Sequence, residues 1–441
     1  MPPSDSVNWL REASRFIRAH RQKTFVVYLG GELLQSAIVE QCAEDLLLLA
    51  GLGIKLVLVH GARPQIDAQI AGIERTAGST PPSDVFVKDI RITNSTMLEQ
   101  AKLAIAMARA GLEAKLSRAA LDTVERNTAI PIVGGTFVVA RPKGVVAGKD
   151  TGLAGEIRRV DADAINHCLE DGNIVLLSPL AYSSSGEAFN MNALELATAI
   201  ATELHANKLI LFTDQELVAV GEQQAVRQLT LQQARELEVR EAAMRRYLHA
   251  SIRACQQGVQ RTHLINFQIN GALMEELFTR DGCGTLVSDA PFDRLRGATI
   301  DDIGGILALI EPLEAAGVLV KRSREKLEME IDHFHVMVRE GTVVACGALY
   351  EFAEAAEIAC IAVHPEYRGH QFGSAMVSAL EERARSKGVG QTFVLTTDAA
   401  LWFEEQAYTR VEIEQLPVER QQLYNYQRNS VVLTKQSDAG T

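Results

Sequence analysis

Apolar residues recur at helical spacing over residues 8–21, where Trp9, Leu10, Ala13, Phe16, Ile17 and His20 fall near one face. The stripe predicts an amphipathic helix ahead of the first strand, fit to cover its own domain or to dock on a neighbouring subunit. From residue 24 to about 286 the pattern changes. TFVVYLGG, KLVLVHG, NIVLLSPL and KLILFTD are short continuous apolar runs, separated by helical stretches at 37–50, 97–125 and in ALELATAIATELHA. Buried strands alternating with helices predict an open, mostly parallel αβα sandwich, its sheet covered on both faces. Residues 287–296 are polar, carry a proline and read as a linker. Beyond them, HVMVRE and TVVACGALYEF predict two strands joined by a tight turn at Glu340-Gly341, and AEIACIAVHP a third. FGSAMVSALEERARSKG predicts a helix with basic last turns that closes at Gly388, and TFVLTTD and NSVVLTK two more strands. The chain thus reads as an α/β domain over 1–286, with its leading helix inside 1–23, a linker over 287–296 and an α+β domain over 297–441.

Composition narrows the function classes. The 441 residues carry a net charge of −12, and residues 297–441, with 13 Lys/Arg and 22 Asp/Glu, supply −9 of it. No basic face for nucleic acid or an anionic membrane is expected. The six cysteines form no C-x-x-C pair and no His cluster accompanies them, so neither a disulfide frame nor a metal site is expected. No apolar run approaches the ~18 residues of a membrane span, and the first residues lack a signal-peptide core. A cytoplasmic protein is expected.

The chemistry begins after AEIACIAVHP, where EYRGHQFGS leads into a helix. A helix N-terminus offers unpaired N–H groups and a positive dipole end, and glycines admit close backbone approach. Together they suit a pyrophosphate or serve as a plain strand-to-helix turn. The run Arg368-Gly369-His370-Gln371-Phe372-Gly373 resembles the R/Q-x-x-G-x-G/A loop of GNAT acetyltransferases, with Gln371 in place of a glycine. That resemblance implies acetyl-CoA as cosubstrate, its pyrophosphate held by Arg368, Gly369, Gly373 and Ser374 and its pantetheine arm by backbone groups of Ile361, Ala362 and Val363. The flanks GVLVKRSREKLEMEI, EIACIAVHPEYR, FVLTTDAALWF and LYNYQRNSVVL are similar to the bacterial N-acetylglutamate synthase family, over essentially the whole chain. The family transfers an acetyl group to the α-amine of L-glutamate, the first step of arginine biosynthesis. An amine attacks only when neutral, so a base is needed, and two substrate carboxylates suit arginine forks. By resemblance Arg322, Arg428 and Ser430 bind glutamate, Glu357 is the general base directly or through water, and Thr396 positions that water or the thioester. Many relatives place a general-acid tyrosine where Phe403 stands, so no acid is named. Cys360 reads as a small core residue.

The first domain resembles acetylglutamate kinase in LGGELL, VHGARP and SPLAYSSSGEAFNMN. Where that family has a lysine, two loop glycines and an aspartate, this chain has Tyr28, Ala62-Arg63 and Leu194, and a further lysine after LFTD is absent. Phosphoryl transfer depends on such charges, so an inactive kinase fold is expected. RTHLINFQINGALMEELFTRDGCGT resembles the arginine-sensing region of arginine-inhibited kinases, which implies an L-arginine effector site at His263, Glu276, Gly282 and Gly284. The resemblance also implies a homo-oligomer, as a hexamer. An acetyltransferase for another amine, such as a protein lysine, with an amino-acid-sensing first domain is the alternative.

Overall fold

The computed structural model describes residues 5–77, 86–122, 130–279, 282–289, 294–339, 342–353, 355–368, 372–424 and 430–436. Two compact units divide between Ala290 and Pro291.

In the first unit, helix α1 (Asp5–His20) begins three residues earlier than the apolar stripe predicts. Ala13 and Phe16 are buried, while Trp9 and Leu10 stay about half exposed, at 47% and 57%. Among the strands that follow, eight build the main sheet: β1 (Thr24–Leu29), β2 (Lys55–His60), β3 (Ile132–Val133), β4 (Ile174–Leu177), β5 (Lys208–Thr213), β6 (Gln228–Thr230), β7 (Arg261–Asn266) and β8 (Thr285–Ser288). They form one sheet in the order β6-β8-β7-β5-β1-β2-β4-β3. Every pairing is parallel except β7 with β8. The runs of apolar residues arise because both faces are covered. Val26, Val57 and Leu209 pack on one side with Leu196 and Ile200 of α2 (Ala193–Glu203), and Phe25, Leu56 and Ile210 on the other with Leu46 and Leu116. The Asn192 side chain accepts from the amides of Leu194 and Glu195 and so starts α2. The short helix α3 (Ala272–Phe278) packs against α1 and β7.

The polar stretch 287–296 is not a free linker along its length. Val287 and Ser288 still pair with β7, and Arg294–Gly297 is strand β9 of the second unit. Its sheet continues with β10 (Phe334–Arg339), β11 (Thr342–Glu351), β12 (Ala356–Val363), β13 (Gln391–Thr396), β14 (Thr409–Val411) and β15 (Val431–Gln436), in the order β9-β10-β11-β12-β13-β15-β14. Helix α4 (Ile303–Ala315) lies with one core face through Ile306 and Ile310, and α5 (Phe372–Ser386) with the other through Met376 and Leu380. Gly388 closes α5 at φ +81°, with its amide bonded to the Arg385 carbonyl. The turn at 340–341 lies outside the described residues. Among the described residues no helix is long and apolar enough to cross a membrane.

Candidate active site and a buried carboxylate cluster

Strand β12 sets the geometry of the second unit. Opposite it on β11, Cys346 pairs with Ala362 and Ala348 with Ala359, so Gly347 faces two residues. The extra residue is Cys360, buried and at φ +54°, and the bulge reverses which side chains face which core. Ile358, Ile361 and Val363 pack on the α5 side, whereas Cys360 and Ala362 pack on the α4 side. A Cβ on Gly347 would lie 2.6 Å from the Ile361 Cδ1 methyl and 2.9 Å from that of Leu380, so a side chain there would have to displace residues packed under α5. On its other edge β12 pairs with β13 only at Ala356–Thr392 and Glu357–Phe393. Beyond that point β13 continues with β15, and among the described residues no strand lies beside the β12 edge from Ile358 onward.

The parted strands open a cleft of about 580 Å³. Ile361 and Val363 line it from β12, Val394 and Thr396 from β13, Arg368 from the turn after β12, and Gly373 and Ser374 from the start of α5. Apolar walls, a free strand edge and a helix N-terminus fit an acylated pantetheine with its pyrophosphate. Of the residues expected to hold coenzyme A, only Gly369 lies outside the described residues. Ala362 turns its side chain into the opposite core, leaving its backbone as the only part that could serve. Thr396 Oγ1 accepts from the amides of Ala399 at 2.9 Å and Asp398 at 3.3 Å, which leaves its hydroxyl proton to donate. Phe403 is core, and Tyr408 donates to Glu381 at 2.9 Å, held deep among neighbours. Neither offers an acid.

On the α4 side of the same sheet stands Glu357, directly across from Tyr350 on β11. Its carboxylate is 10% exposed and takes both arms of the Arg420 fork, Nε at 2.6 Å and Nη2 at 3.0 Å. Arg420 sits on the one-turn helix α6 (Val418–Gln421). Thr396 is three residues along β13 from Phe393, the partner of Glu357, roughly 10 Å along the strand. The two expected catalytic side chains therefore face different parts of the site. Tyr350 donates to Glu330 at 2.7 Å and adjoins the Arg322 guanidinium, while burial, then the Glu330 contact, pushes its pKa up. Arg322 gives Nη1 to the Val320 carbonyl at 3.1 Å, and its buried Nε has no partner among the described residues. The Ser430 carbonyl accepts from Tyr424 at 2.6 Å. Arg428 lies outside the described residues.

In the first unit the loops that resemble a kinase meet closely. A Cβ on Gly61 would lie 2.9 Å from the Gly31 amide and 3.3 Å from the Tyr28 hydroxyl. Tyr28 is buried, its ring 6.1 Å from that of Tyr247, and burial holds its pKa well above the ordinary value. A neutral phenol therefore stands where a lysine is expected. Of the nearby cations, Lys143 pairs with Glu195 at 2.7 Å and Arg246 with Asp89 at 2.6 Å, while Arg63 lies over the Phe86 ring at 4.2 Å.

The four residues expected at an effector site gather around one carboxylate. Glu276 Oε1 accepts from His263 Nδ1 at 2.6 Å, and Oε2 accepts from the amides of Cys283 at 2.9 Å and Gly284 at 2.7 Å. Gly282 sits at φ +63°, and a Cβ there would run into the Glu276 carboxylate. Sequence reasoning missed Lys208, whose Nζ stands 3.1 Å from His263 Nε2. A lone lysine heading the apolar run LILFT is the signal that was available. Burial, then Lys208, pushes His263 down to about 4, so its neutral ring takes the Nδ1–H tautomer that bridges both partners. Burial, then the charge of Arg261, lowers Lys208 from 10.5 to about 7. The unfolded chain therefore holds that proton up to about pH 10.5 and the folded chain only to about 7. The cost of burying Lys208 is full below pH 7, at most about 5 kcal/mol, and fades as pH rises toward 10.5. Lys208→Met is expected to raise the melting temperature at pH 7 and to lose that gain by pH 10; a pH-independent shift in melting curves contradicts it.

Residues 23–266 match the amino acid kinase family, and residues 307–405 the acetyltransferase (GNAT) family. A GNAT unit with a parted-strand cleft defines an acyltransferase that uses acetyl-CoA. The amino-acid acetyltransferase of Ectopseudomonas mendocina is 44% identical over 98% of this chain and 99% of its own, and that of Pseudomonas aeruginosa 43% over the same shares. The N-acetylglutamate synthase of Neisseria gonorrhoeae, complexed with coenzyme A and L-arginine, is 34% identical over 98% of this chain and 99% of its own, with a TM-score of 0.89. The same enzyme complexed with coenzyme A and N-acetyl-glutamate gives 0.63 at the same identity and coverage. The chain belongs to the amino-acid acetyltransferase family, the N-acetylglutamate synthases.

Proposed function

We propose that the second unit acetylates the α-amine of L-glutamate, opening arginine biosynthesis, and that L-arginine binding in the first unit inhibits the reaction. The observation that carries the substrate is Arg322: a buried guanidinium nitrogen with no acceptor among the described residues is costly, and a substrate carboxylate would satisfy it. The Neisseria relative complexed with N-acetyl-glutamate supports the same reading. Acetyl-CoA supplies the activated acyl group; the chain supplies Glu357 to take the ammonium proton, Thr396 to donate at the cleft, and Arg322, Arg428 and Ser430 to hold the acceptor. Glu357 and Thr396 stand roughly three strand residues apart, which favours a proton path through water over direct contact. With Tyr28 and Leu194 at the kinase positions, the first unit acts as a non-catalytic regulatory domain. We place the enzyme in the cytoplasm as a homo-oligomer.

Purified protein with acetyl-CoA should release free thiol with L-glutamate and far less with L-glutamine or L-aspartate, because unmatched buried arginine donors penalise an analogue. Arg322→Ala should lower kcat/KM for glutamate by about 2–4 kcal/mol, the range for one partner lost from a buried charge pair. Equal activity on glutamine, or an unchanged Arg322→Ala, sinks the assignment.

A further inference from the structure

The Arg420–Glu357 pair poses a chemical problem. A side-on guanidinium occupies one lone pair on each carboxylate oxygen, the pairs best aimed at a proton donor. Glu357 held this way is a poor acceptor for an ammonium proton, and at 10% exposure it has little water to help. Arg420 is itself fixed: Nη1 donates to the Leu423 carbonyl at 3.2 Å. The neighbouring Gln421 side chain ties the segment to the carbonyls of Glu414 at 3.0 Å and Leu416 at 2.7 Å. The guanidinium is thus presented on the sheet face where Tyr350, neighbour of Arg322, stands directly across from Glu357.

We infer that Arg420 is a carboxylate-exchange residue that couples acceptor recognition to release of the base. This rests on the reading of glutamate as acceptor and Glu357 as base. One carboxylate of the incoming glutamate takes the Arg420 fork, a like-for-like exchange of bidentate partners, and Glu357 turns free beside the substrate ammonium. Glu357 then accepts one ammonium proton relayed through an intervening water and later returns it to solvent. The neutral amine attacks the thioester carbonyl, the C–N bond forms as the C–S bond breaks, and the second proton lost from nitrogen ends on the coenzyme A sulfur. An amine without the exchanging carboxylate leaves Glu357 locked, so the wrong acceptor is rejected in kcat as well as in KM.

The test uses full-length protein and the two monoamides of the substrate, L-glutamine and L-isoglutamine, each lacking one carboxylate. In the wild type, one of the two should lose at least tenfold in kcat relative to glutamate. Arg420→Ala should raise KM for glutamate and raise kcat for that amide at least threefold. Arg420→Lys keeps the charge without the fork; it should show the same rise and serves if the alanine variant melts early. A purely structural pair would depress all three acceptors alike, and a simple binding arginine would leave the amide kcat unchanged; either result overturns the exchange. So does a wild-type amide deficit lying wholly in KM. Failure of the underlying reading is distinguishable: Glu357→Gln would then keep wild-type kcat, or glutamate would not be acetylated at all.

Discussion

Glu357→Gln is expected to lower kcat with glutamate about 10²–10⁴-fold, the usual contribution of a positioned proton acceptor. Glutamine keeps the size of the side chain and can still accept from Arg420, so the sheet should survive the change. It cannot take a proton from the ammonium. Coenzyme A binding should change little, since the cleft is lined by Ile361, Val363 and the start of α5, not by Glu357. Steady-state thiol release alongside calorimetric titration with coenzyme A separates the two effects. A kcat within threefold of wild type between pH 7 and 9 removes Glu357 from the proton path.

The second unit was the more legible in its elements and the less so in its pairings. The strand AEIACIAVHP and the helix from Phe372 follow from apolar periodicity and the glycine loop between them. The bulge at Cys360 does not, because nothing in the run IACIAV marks which residue goes unpaired; only the crossing of α5 over Gly347 does. Arg420 was illegible for a related reason. In LPVERQQLY it reads as one more solvated charge, and its partner lies 63 residues away on another element. In the first unit, His263 and Glu276 were legible only through resemblance, since both read as polar residues of a strand-to-helix passage. What joins them is the parallel register that sets His263 beside Ile210 of β5, with Lys208 two residues earlier on that strand. Residues 287–296, which read as a linker, hold two strand pieces: VS and RLR are short and polar-flanked, and each gains its partners from residues far along the chain.

Glu276→Gln should all but abolish inhibition by L-arginine while acetyl transfer without arginine persists. Glu276 is the carboxylate at the centre of the cluster among the described residues, it is about 6% exposed, and Oε2 already accepts from two amides. Among the described residues Oε1 accepts only from His263, which leaves it a lone pair for a guanidinium. The charge-assisted pair lost in the amide variant corresponds to about 2–5 kcal/mol of arginine affinity, a shift of roughly 30-fold or more in the inhibition midpoint. The alanine variant is the worse probe of function: it would strand His263 Nδ1 and two amides together, each at about 1–3 kcal/mol of stability. Because the cluster lies in the first unit and Glu357, Thr396 and Arg322 in the second, arginine must act by favouring a state of the whole chain that transfers acetyl poorly. Its effect should then scale with its affinity, and basal turnover should stand apart from it. Arginine titrations at fixed glutamate, wild type against Glu276→Gln, decide the matter. Superimposed curves would move the effector elsewhere, and simple competition between arginine and glutamate would put it in the acetyl-transfer site.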